Sequence, residues 1–248
     1  MYERLMRCLT DTHTETSGEN ESRISYLLEG CTPCADVAVA DLGNKTAVLS
    51  ALEQNQITFE LLCAEDILSR VSIQDGSLYL ANRSYRAIVI PYAESMEFNL
   101  RARLDALSYN GIPVFFVGDE PAVLDENGFL FEGMGPAIIT KENDLGGFIR
   151  MFGFACIVPS RRYTSLRVRH LTHGDFHIYG FSNVGNSTIG FTAALEVGNA
   201  VLYDPQKNQL YKPQILDGKI RTQLEAGTSL LLLETDWTMD CPIFPYHR

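Results

Sequence analysis

The chain has 248 residues, 46% of them apolar and 21% charged, with a formal net charge of −11. That length predicts one or two domains with true cores, and the composition is globular rather than disordered or fibrous. The acidic balance repels phosphate backbones, so nucleic acid is not an expected partner; no apolar run reaches the roughly 18 residues of a spanning helix, so a membrane is not expected either.

The N-terminus, Met1 to Arg23, is too polar for a signal peptide, and the six cysteines are scattered. A cytoplasmic location is therefore expected. Tyr2, Leu5, Met6 and Leu9 fall on one helical face. After the polar stretch Thr10 to Glu21, Ile24, Leu27 and Leu28 mark a second short helix, stopped by Gly30.

From Ala35 strands and helices alternate. Asp36–Ala40, Ile57–Leu62, Ala87–Ile90 and Val114–Val117 are apolar runs that predict buried strands, and Ala137–Thr140 a fifth. Asn44 is placed to cap a helix carrying Val48, Leu49 and Leu52. Asp75-Gly76 predicts a hairpin turn between Val71–Ile73 and Leu78–Leu80. Met96, Leu100, Leu104 and Leu107 predict one face of a helix capped by Ser95, and another helix spans Asp144–Phe152. Right-handed crossovers would order the first four strands 2-1-3-4.

Beyond Ala155 the chain reads as short strands: Leu166–Leu171, Phe176–Ser182, Thr188–Ala194, Ala200–Tyr203, Leu210–Leu216, Lys219–Leu224 and Ser229–Glu234. Turn signals at His173-Gly174-Asp175, Gly185-Asn186, Asp204-Pro205 and Asp217-Gly218 separate them. This spacing predicts an antiparallel β-sandwich, with Trp237–Arg248 as a peripheral tail. The expected fold class is α/β plus all-β. An N-terminal helical segment (1–34) precedes a flavodoxin-like parallel-sheet domain (35–152) and a β-sandwich (153–248).

Few constellations point to chemistry. Cys31-Thr32-Pro33-Cys34 has redox or metal spacing, but it precedes a strand, and Cys8, Cys63, Cys156 and Cys241 are isolated. Of the cluster His170, His173, Asp175 and His177, the last three would share a face only in one continuous strand, which the turn at Gly174 breaks, and His170 falls in line with Leu166 and Val168. Asp119-Glu120 and Asp125-Glu126 are adjacent carboxylates in polar loops, unlike the separated pair of a glycosidase. After Ile90 the sequence reads Pro91-Tyr92-Ala93-Glu94-Ser95, with no Cys, no Gly-x-Ser-x-Gly and no nearby His, so no nucleophile elbow is read there. No catalytic residue, cofactor or metal is expected. The switch point of a parallel sheet still forms a crevice, here between Asp41–Asn44 and Pro91–Ser95. Asp41, Asn44, Tyr92, Glu94 and Ser95 are its candidate ligand-binding residues, suited to a neutral polyol.

One longer pattern is familiar. Arg23-Ile24-Ser25-Tyr26-Leu27-Leu28-Glu29-Gly30 precedes Ala35-Asp36-Val37-Ala38-Val39. Ala51 to Glu60, Asp66, Gly76 and Leu78 follow, then Tyr85 to Pro91 and Gly111-Ile112-Pro113-Val114. This order resembles the segment after the catalytic barrel in bacterial α-L-rhamnosidase-like glycoside hydrolases, a flavodoxin-like, amidotransferase-like domain. It is similar in kind to the β-galactosidase trimerisation domain. Phe181-Ser182-Asn183, Leu202-Tyr203-Asp204-Pro205 and Ser229–Leu233 resemble the β-rich segments that follow there. The first strand ends in Ala40-Asp41-Leu42, where that family carries Leu-Tyr-Pro, so its crevice is altered. The first sheet strand begins about 35 residues from Met1, too few for a barrel of ~200 residues, so the resemblance brings no catalytic residues. It implies a non-catalytic accessory or assembly module. Its expected partners are a glycan, a separate catalytic chain or a second copy of itself. The alternatives are a degenerate amidotransferase-like hydrolase and a truncated glycoside hydrolase product.

Overall fold

The structure is a computed structural model that describes residues 5, 6, 9, 19–124, 130, 131, 136–238 and 240–246. Two compact units emerge: one is Cys34–Cys156, and the other joins the residues up to Pro33 to Ile157–Arg248.

The Cys34–Cys156 unit is built on a five-stranded sheet. Its strands are β1 (Val37–Ala40), β2 (Phe59–Leu62), β3 (Ile88–Ile90), β4 (Val114–Val117) and β5 (Ile138–Thr140). Their order is β5-β4-β3-β1-β2, and every pair is parallel. This is the 2-1-3-4 order expected from right-handed crossovers, with β5 added beside β4. Alternation along the strands explains the apolar runs. Ala38, Ala40, Ile88, Ile90, Val114 and Phe116 enter one core with Leu100, Leu104 and Leu107 of the helix Phe98–Tyr109. Val37, Val39, Val89, Phe115 and Val117 enter a second core with Val48, Leu52, Leu145 and Ile149, from the helices Thr46–Gln54 and Glu142–Met151. Covered on both faces, such a strand has no position for a polar side chain.

Three local expectations are corrected. Ser95 does not cap a helix: Ser95–Glu97 is a short strand paired with Ala122–Leu124, and the helix starts at Phe98. Met96 is buried from that strand, not from the helix. Asn44 lies one residue before the N-cap position, Lys45, yet its Oδ1 still accepts the Thr46 N–H at 3.3 Å. The Asp75-Gly76 hairpin forms with both residues in the left-handed region, and Arg83–Tyr85 adds a third strand to it.

The second unit is a sandwich. Its strands are β6 (Leu166–His173), β7 (Phe176–Asn183), β8 (Ile189–Ala194), β9 (Ala200–Asp204), β10 (Gln209–Tyr211), β11 (Gln214–Leu216), β12 (Lys219–Leu224) and β13 (Ser229–Glu234). One sheet runs β6-β7-β13-β9-β10, with the extended Thr32–Cys34 at the β6 edge; the other runs from Val158–Pro159 through β8 and β12 to β11. The strands β6 to β13 pair antiparallel with one another. The single strand expected over Leu210–Leu216 is two, one in each sheet. Pro213 between them cannot donate to a ladder, and the chain crosses from sheet to sheet there. Nor is the tail peripheral: Phe244 is buried in the inter-sheet core, and its N–H donates to the Lys212 carbonyl.

The leucine run of β13 shows why this sheet is not simply two-faced. Leu230 and Leu232 face the inter-sheet core, whereas Leu231 and Leu233 enter another cluster with Leu5, Leu27 and Ile24. The helix Glu19–Leu28 therefore forms a third layer on the larger sheet.

A buried polar knot anchors the parallel sheet. Asp36, 2% exposed, precedes β1. Its Oδ2 accepts the Thr58 N–H and hydroxyl, each at 2.9 Å, and its Oδ1 accepts the Cys156 N–H at 2.8 Å. Replacing Asp36 with Ala strands the donors of buried Thr58, worth about 1–3 kcal/mol, and the partly buried Cys156 N–H, which costs less. Asp36→Ala should lose about 2–4 kcal/mol in urea denaturation, and Thr58→Val less, because Asp36 keeps both backbone donors.

Candidate functional site

The carboxyl edge of the parallel sheet is where ligands of such folds bind. Here the loop after β3 is central, between the loops after β1 and β4. Tyr92, in that central loop, is braced from both sides. A Cβ on Gly43 would collide with the Tyr92 carbonyl oxygen, and one on Gly118 would lie 3.2 Å from Cδ2 of the Tyr92 ring. Both glycines have left-handed φ, +50° and +93°, which a side chain resists. Backbone thus meets backbone at Gly43, within the crevice expected between Asp41–Asn44 and Pro91–Ser95, and Tyr92 stands beside that contact, 46% exposed.

The other candidates surround it unequally. Asp41 is exposed and paired with Lys45, and Asn44 is committed to the Thr46 N–H. Glu94 is exposed, and its carbonyl accepts the Ala122 N–H at 3.0 Å. Ser95 is exposed but held in its short strand. Gly43 and Gly118 carry the local geometry, yet a single glycine after an apolar run was the only sequence signal for each. Of the adjacent carboxylates, Glu120 lies 3.5 Å from Nη2 of the buried Arg101, which also binds Asp105 at 2.8 Å. Asp125-Glu126 falls outside the described residues, as does Cys8.

The histidine cluster divides at the hairpin. Gly174 takes a left-handed φ in the turn between β6 and β7. His170 and His177 meet across the two strands, Nε2 to Nδ1 at 2.8 Å, and His170 stacks on Tyr179 with ring centroids 4.7 Å apart. His170 is 7% exposed, and its Nδ1 is buried without a hydrogen-bond partner. Burial first, then the charge of His177, holds His170 down to about 4. His173 is elsewhere, its Nδ1 4.0 Å from the Cys31 Sγ. Cys156 is no activated nucleophile: burial, then Asp36, pushes its thiol up to about 12. Among the described residues, no three His, Cys, Asp or Glu side chains are grouped to hold a metal. No described helix is long and apolar enough to cross a membrane.

A flavodoxin-like parallel sheet combined with an antiparallel sandwich recurs as part of larger glycoside hydrolases, and this chain has the fold of such a part. A rhamnosidase from Novosphingobium sp. PP1Y matches with a TM-score of 0.67 at 14% identity, over 93% of this chain and 25% of that one. A β-galactosidase from Bacillus circulans sp. alkalophilus matches at 0.57 and 10% identity, over 88% of this chain and 44% of that one. α-L-Fucosidase isoenzyme 2 from Paenibacillus thiaminolyticus matches at 0.54 and 10% identity, over 89% and 51%. The chain therefore spans between a quarter and about half of the length of these proteins. No protein-family model matches the sequence, and no curated protein matches it.

Gly43→Ala should cost about 1–3 kcal/mol, from a left-handed alanine and the clash with Tyr92, read as a lower urea midpoint. The histidine pair gives a pH dependence of definite sign. Unfolded His170 takes up a proton near pH 6.5, whereas the folded side chain does so only near 4. Its contribution is complete above pH 6.5 and is lost as pH falls toward 4, by up to roughly 3 kcal/mol. Denaturation midpoints across that window should fall with pH in the wild type and fall less in His170→Phe.

Proposed function

We propose that this chain is a non-catalytic accessory or assembly region of a carbohydrate-active glycoside hydrolase, acting beside a catalytic domain. The observation that carries this reading is the rhamnosidase match, which takes in 93% of this chain and only 25% of the larger protein. The chemistry of the carboxyl edge supports it. At the strand end where an elbow nucleophile would stand, the chain has Pro91 to Ser95, without a cysteine, and Ser95 is held in strand pairing. Asp119 and Glu120 are neighbours in one loop, and Glu120 is engaged by Arg101. Adjacent carboxylates cannot straddle a glycosidic bond, which takes carboxyls ~5–10 Å apart on opposite sides of the sugar. The partners that fit this role are a separate catalytic chain, a glycan or a second copy of the chain.

The purified chain should not hydrolyse aryl α-L-rhamnosides or aryl β-D-galactosides above a buffer blank. Turnover that a single Asp or Glu substitution in this chain abolishes would overturn the reading.

A further inference from the structure

We propose that Tyr92 is a pre-positioned stacking platform for one pyranose ring of an uncharged sugar; the choice of ligand class rests on the glycoside hydrolase reading above. Tyr92 follows β3, and the strands on either side, β1 and β4, each supply a left-handed glycine that it packs against. Gly43 receives its carbonyl; Gly118 backs its ring, with the Gly118 Cβ position 3.2 Å from Cδ2 and 3.6 Å from the Tyr92 Cβ. Gly118 is itself tied to the sheet by its N–H, which donates to the Thr140 carbonyl at 2.8 Å. The ring therefore rests against Gly118 on one side while 46% of the residue stays open to water.

An exposed aromatic ring on a mobile stem would lose side-chain entropy on binding, whereas a braced ring has lost most of it on folding. A phenol ring offers a flat, electron-rich face to the C–H groups of a sugar and a polar tip to its hydroxyls. Glu94 and Asp119 are exposed in the loops around it, together with Asp41, which is paired with Lys45. Carboxylates accept hydrogen bonds from sugar hydroxyls and repel phosphate or carboxylate, which selects a neutral ligand. With the Tyr92 carbonyl against Gly43, the ring offers one face to the sugar. Affinity on the order of millimolar follows from so small a buried area.

The test is an NMR titration of the full chain with methyl α-L-rhamnopyranoside, methyl β-D-galactopyranoside and, as an anionic control, glucose 6-phosphate. At least one neutral glycoside should shift the Gly43, Tyr92 and Gly118 amides and the Tyr92 ring signals together, saturating on the order of 1–100 mM. Tyr92→Phe should bind within about two-fold of wild type, and Tyr92→Ala at least about tenfold more weakly, with a folded spectrum. Silence at these signals with both neutral sugars overturns the proposal, as does tighter binding of the sugar phosphate. Because the wild-type map alone decides this, the test survives a Tyr92→Ala variant that fails to fold. A negative map leaves the accessory-region reading standing, since that reading falls only on turnover by the chain.

Discussion

The Asp36 carboxylate holds the start of the first sheet strand to two distant parts of the chain, at Thr58 and Cys156. Burial raises its pKa, while the hydrogen bonds from Cys156 and Thr58 pull the other way. A carboxyl group in such a place is tolerable only because its donors are in position. β1 follows directly, and its four residues are wholly buried between two helical layers. With β1 fixed, β2 and β3 pair on its two sides, and the chain reversal between them creates the switch point. Tyr92 follows β3 at the opposite, carboxyl end of the same sheet.

At that far end the sheet's neighbours do something unusual with their glycines. In nucleotide-binding sheets a glycine after the first strand lets a phosphate approach the backbone. Here Gly43 makes room for another loop, the carbonyl of Tyr92, and Asp41 beside it is paired with Lys45. Gly43 thus lets two of the protein's own loops meet, and the partly exposed Tyr92 side chain stands at the margin of that contact. A fold by itself does not carry an activity.

The sandwich is organised by a different rule. Its larger sheet is buried on both faces because the N-terminal helix covers the side away from the second sheet. The same sheet holds the His170–His177 pair, whose imidazoles hydrogen-bond to each other at 2.8 Å. Burying an imidazole next to another keeps it neutral at ordinary pH and makes the unit sensitive to acid.

The sequence by itself determined the strands of the parallel sheet and their order. A four-residue run of Val and Phe such as Val114–Val117, set between a Gly-Ile-Pro turn and Gly118, favours a doubly covered strand, and chain chirality leaves few orders to choose from. It also located the turns, since Asp75-Gly76 and Asp217-Gly218 accept the left-handed φ values that tight hairpins require. Its candidate site was legible as a place on the sheet, not as a shape. Whether Asp41–Asn44 and Pro91–Ser95 enclose a crevice depends on how closely two loops approach, and only the tertiary structure shows the Tyr92 carbonyl lying against Gly43. The roles of Ser95, Pro213 and Phe244 were likewise decided by pairing and burial between segments far apart in the chain, which local propensity does not encode. The helix on the outer face of the sandwich explains the leucines of β13 for the same reason: hydrophobicity marks a residue for burial, but not what will bury it.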